Sequence, residues 1–130
     1  GTMPAWDGSA LTDLPYDVAF TAGFDSDMEP EDVEVATYGE LVMARAGTII
    51  GEAGYIDTPA TIVSCIVDIE KNGSSIYSSR PEYAAGSNSL TAGTLSVTTF
   101  AVGDRISFKV DAKGNVNAGQ GVRFTLKCKV

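Results

Sequence analysis

The chain has 130 residues, 17 acidic against 9 basic, a formal charge of −8 and 44% hydrophobic content, which suits one folded domain around one core. Histidine is absent, which excludes Ser-His-Asp triads, Cys-His dyads and His-ligated metal sites. The negative charge, the dispersed basic residues and the lack of any apolar run near the roughly 20 residues of a membrane helix argue against nucleic-acid binding and membrane insertion.

Gly1-Thr2-Met3 reads as a cloning remnant ahead of the natural sequence, and residues 1–15 as an N-terminal segment in which Trp6 anchors to the core or to a neighbouring chain. Residues 16–130 then form a single β domain. From Tyr16 the alternation of Tyr16, Val18 and Phe20 against Asp17, Ala19 and Thr21 is that of a half-buried strand. Residues 25–34 hold six carboxylates and a proline and read as an exposed loop. Leu41 to Ile50 is expected to be a strand, and Gly51 to Pro59 a loop.

Ile62 to Glu70 carries a clear strand pattern, with Val63, Cys65, Val67 and Ile69 inward and Ser64, Asp68 and Glu70 outward. Asn72-Gly73 follows at once, and this pair suits the two positive φ values of a type I′ turn. Closing the hairpin there sets Lys71 opposite Ser74, Glu70 opposite Ser75 and Ile69 opposite Ile76. Arg80 to Asn88 reads as loop and Leu90 to Phe100 as a strand with a bulge at Gly93.

Val102-Gly103-Asp104 is a turn, after which Ile106, Phe108 and Val110 face inward against Arg105, Ser107 and Lys109. Residues 111–121 form a flexible connection, and the last strand points Val122, Phe124, Leu126, Cys128 and Val130 inward. Seven to eight short strands, turn signals between them and no long helix predict an all-β fold: an antiparallel β-sandwich, jelly-roll-like.

The sites that chemistry requires are sparse. Cys65 and Cys128 lie too far apart for a C-x-x-C pair and are either two buried thiols or one disulfide between sheets. Asp25, Asp27, Glu29, Glu31 and Asp32 are dense enough to suggest calcium, but the spacing is not that of an EF-hand and a solvated loop is favoured. Asp111, Asn115 and Asn117 read as turn chemistry. Asp68, Glu70 and Glu82 are the candidates for paired-carboxylate glycoside cleavage, with no pattern that brings them to one cleft. Tyr55, Tyr77, Arg80 and Tyr83 are the candidate binding residues, able in principle to form an aromatic and guanidinium platform for sugars, with ordinary packing as the alternative. No catalytic residue, metal or cofactor is expected.

Tyr16-Asp17-Val18, Thr58-Pro59-Ala60-Thr61, Asp68-Ile69-Glu70-Lys71-Asn72-Gly73-Ser74-Ser75-Ile76, Ala85-Gly86 and Gly103-Asp104-Arg105-Ile106 occur in that order. Their hairpin and spacing resemble a small β-sandwich module of virion proteins in tailed bacteriophages and prophages, over roughly residues 16–130. The resemblance implies a non-enzymatic structural or adhesive module of a tail fibre, baseplate or head appendage, often a homotrimer, engaging other virion proteins and a host-surface glycan or protein. It also implies assembly in a host cytoplasm, where free thiols are expected. The acidic loop is longer and more charged than that pattern. A carbohydrate-binding or adhesin module of a secreted bacterial protein is the rival reading.

Overall fold

The computed structural model describes residues 13–130, so the N-terminal segment as far as residue 12, with Trp6, lies outside the described residues. Twelve strands run in the order β1 (Val18–Ala22), β2 (Ala36–Val42), β3 (Gly47–Thr58), β4 (Cys65–Lys71), β5 (Ser74–Ser75), β6 (Tyr77–Ser79), β7 (Glu82–Tyr83), β8 (Leu90–Thr91), β9 (Thr94–Leu95), β10 (Thr99–Phe100), β11 (Arg105–Ala112) and β12 (Gln120–Lys129). The fold is all-β and antiparallel. One sheet has the order β1-β12-β3-β10, and the other β2-β11-β4-β7-β8 with β5 on β4; β6 and β9 form a separate ribbon.

The pairs are nested: β4 with β7, β3 with β10, β2 with β11 and β1 with β12. The chain therefore folds back on itself as one long hairpin whose successive arms fall in alternate sheets. Period-2 patterning explains the packing, because each long strand has one apolar face. Val18 and Phe20 of β1, Ile106, Phe108 and Val110 of β11, and Val122, Phe124, Leu126 and Cys128 of β12 are all buried. The Phe108 ring stacks on Phe20 at 5.5 Å and tilts against Phe124 at 5.2 Å, so the two sheets meet face to face through aromatic rings.

The Asn72-Gly73 turn has the expected form. Its φ values are 52° and 88°, Glu70 pairs Ser75 and Lys71 pairs Ser74, and the Ile76 N–H donates to the Ile69 carbonyl at 3.0 Å.

Five expectations need correction. The span read as strand 41–50 followed by loop 51–59 is instead a turn after Val42 and then the twelve-residue β3. Glycines suggested a loop there, but Gly51 forms a bulge against β12, and Gly54 is where a Cβ would collide with the Tyr83 hydroxyl and meet the Arg123 carbonyl at 2.8 Å. The strand expected from Ile62 starts at Cys65, leaving Val63 exposed, while Asp68 is buried. Leu90 to Phe100 is three two-residue strands with three different partners, β7, β6 and β3, because the chain crosses between layers here. The loop 80–88 contains β7. Ser107, expected outward, is buried.

Candidate functional site

The predicted binding residues do not share one surface. Tyr83 is completely buried on β7, and its hydroxyl donates to the Arg123 carbonyl of β12 at 2.6 Å, crossing the sandwich. Tyr77 on β6 is buried, and its hydroxyl donates to Glu52 Oε2 at 3.0 Å. Burial, reinforced for Tyr77 by the Glu52 charge, holds both phenols above their usual range. Neither ring offers a face for sugar stacking. Tyr55, on β3, and Arg80 are exposed or half-exposed.

Arg80 is occupied instead by two carboxylates. Its Nε lies 3.2 Å from Asp68 Oδ2 and 2.8 Å from Asp111 Oδ2. Asp68, on β4, has a side chain only 2% exposed, and its other oxygen accepts the Ser75 hydroxyl at 2.6 Å. Asp111, on β11, has Oδ2 buried without a well-directed hydrogen bond, so the Arg80 contact there is charge attraction alone. Burial and the Asp68 charge push the Asp111 carboxyl up, against the pull of Arg80. The guanidinium thus clamps β4, β11 and the β6–β7 connection together.

The carboxylates singled out for hydrolysis are committed in the same way. Asp68 is sealed beneath Arg80 and Ser75, Glu70 faces Lys109 at 3.5 Å, and Glu82 accepts the Ser64 hydroxyl at 3.4 Å. Glu52 was hidden within the stretch read as loop; besides Tyr77 it accepts the Gly93 N–H at 2.7 Å, tying the β6–β9 ribbon to β3. No local pattern marks it, since its partners lie far away in sequence.

Both cysteines are buried free thiols. Burial pushes Cys65 up to about 11, and burial with the Asp17 charge nearby does the same for Cys128. Each is therefore a neutral thiol at pH 7, poor as a nucleophile and as a metal ligand.

The acidic loop folds on its own side chains. Asp25 Oδ1 accepts the N–H groups of Asp27 at 2.8 Å and Glu29 at 3.0 Å. Among the described residues no group of three or more acidic or Cys side chains is placed to hold a metal ion. Asn115 and Asn117 use their carbonyls to accept from Thr61, whose hydroxyl donates to Asn115 at 2.6 Å and whose N–H donates to Asn117 at 3.1 Å. These bonds join the loop before β4 to the loop before β12.

Compared with protein-family models, with curated proteins and with solved structures, the chain matches none.

Proposed function

We propose that this chain is a non-enzymatic structural and adhesive module of a phage virion appendage, a β-sandwich of jelly-roll type that assembles with copies of itself and meets a host surface or another virion protein through its loops. The observation that supports the reading is the nested pairing of β1–β12, β2–β11, β3–β10 and β4–β7 across two sheets, the pairing order that a hairpin wrapped into a jelly roll would have. The hairpin and Gly-Asp motifs of the sequence support the virion assignment. Among the described residues, Arg80 and Asp68 are engaged in tying neighbouring strands of one sheet, and Glu52 and Tyr83 in tying separate sheets, rather than in an open site.

Solution mass by light scattering, across a range of concentrations, tests this reading. A stable assembly of about three chains of 13.6 kDa is the expected result for a trimeric appendage module. A chain that stays monomeric at every concentration counts against it and favours an isolated carbohydrate-binding module.

A further inference from the structure

Four loops gather at one end of the sandwich: residues 23–35, 59–64, 84–89 and 113–119. Strand register places them together, since Ala22 pairs Val122, Thr58 pairs Gln120, Cys65 pairs Tyr83 and Ile66 pairs Ala112. Cross-loop bonds fix them: Thr61 to Asn115 and Asn117, Gly86 N–H to the Ala60 carbonyl at 3.1 Å, and Val33 N–H to the Gly119 carbonyl at 2.9 Å.

Three large apolar side chains stand out from this end on left-handed backbone: Met28 (φ 62°), Ile62 (φ 68°) and Val116 (φ 70°). They are 63%, 67% and 79% exposed, and Val63 beside them is 46% exposed. That backbone costs an L-residue about 1–2 kcal/mol, most severely when the side chain is β-branched. Glycine or asparagine would remove the cost, and no core packing among the described residues repays an exposed apolar side chain. Such a surface suits contact with another molecule.

Charge identifies what would cover them. Within the four loops, Asp25, Asp27, Glu29, Glu31, Asp32 and Glu34 stand against one cation, Lys113, which is itself paired with Glu34 at 3.1 Å. An end that carries exposed apolar side chains together with an excess of carboxylates is complementary to a surface carrying apolar groups among basic ones, and repels an anionic membrane or a phosphate backbone. We infer that the end bearing Met28, Ile62, Val63 and Val116 is a docking surface for a cationic, apolar-bearing polypeptide. This deepens the attachment reading and rests on it, by naming the face that attaches and the chemistry of what it attaches to.

The test is an NMR titration of the labelled chain with a short synthetic peptide of leucine, lysine and serine. Saturable shifts at residues 28, 62, 63 and 116 are expected, with affinity that falls as salt rises. The Ile62→Ser, Val116→Ser double variant, altered only at exposed positions, is expected to keep its fold and to bind about tenfold more weakly. Equal binding of a peptide with glutamate for lysine, or with serine for leucine, would overturn the inference. So would shifts centred elsewhere, an unchanged affinity for the double variant, or the same shifts produced by phosphatidylcholine vesicles alone. The solution mass is measured separately, so a chain that assembles but ignores the peptide refutes the docking surface and leaves the attachment-module reading standing.

Discussion

The two ends of the sandwich solve the same backbone problem in opposite ways. At the hairpin end, the left-handed positions belong to Asp13, Asn72, Gly73 and Gly103, residues that adopt that conformation at little cost. The turns there are cross-tied: Asn72 Nδ2 donates to Asp104 Oδ1 at 3.0 Å, and Asp104 Oδ2 accepts the Ala101 N–H at 2.8 Å. Those bonds hold the Asp104 carboxyl below its usual range. At the loop end, glycine serves at Gly86 and Gly114, but Met28, Ile62 and Val116 occupy equivalent conformations with exposed apolar side chains. One end is built for stability, and the other stores strain beneath a surface left uncovered among the described residues.

The largest expected effect falls on both ends together. Phe108→Ala removes the ring lying between Phe20 and Phe124, and a loss of about 3–5 kcal/mol is expected in chemical denaturation. Amide exchange should accelerate at both ends alike; acceleration at one end alone would mean that the two do not share a core.

High pH should separate the ends more finely. The thiols are raised from 9.0 to about 11, so the folded chain keeps protons that the unfolded chain loses. Their contribution to stability is complete below pH 9 and is lost as pH rises through 11, by about 2–3 kcal/mol per thiol. Cys65 starts β4 beneath the loop end, where a Cβ added at Gly119 would lie 3.5 Å from its Sγ, whereas Cys128 lies at the far end of β12. Denaturation followed from pH 8 to 11 should lose part of its slope in Cys65→Ala and part in Cys128→Ala.

A smaller loss is expected at the hairpin. A Cβ added at Gly73 meets no atom within 4 Å, so the cost of Gly73→Val, about 1–2 kcal/mol, comes chiefly from backbone strain. An unchanged melting temperature would show that the turn tolerates what its φ value forbids.

These contrasts mirror what was legible in the sequence. The hairpin register, the inward faces of β11 and β12 and the all-β class were readable because alternation and Asn-Gly chemistry are local signals. The long β3 was not, because Gly51 and Gly54 look like loop residues until β12 and Tyr83 are set against them. Asp68 read as outward-facing because nothing near it in sequence announces Arg80 or Asp111. Tyr77 and Tyr83 looked like binding aromatics, and their burial goes with hydroxyl partners on β3 and β12 that are distant in sequence. The left-handed Ile62 and Val116 were invisible for a different reason: propensity argues against those residues in that conformation.

The smallest effect bears most directly on the claim that the loop end holds strain for an exposed surface. The measurement is the denaturation midpoint of the Ile62→Gly, Val116→Gly double variant beside that of the parent chain. Relief of left-handed strain, partly offset by the greater freedom of glycine in the unfolded chain, predicts a stability gain of up to about 1 kcal/mol. A loss comparable to that of Gly73→Val would show that the two apolar side chains hold the loops in place, and would contradict the account.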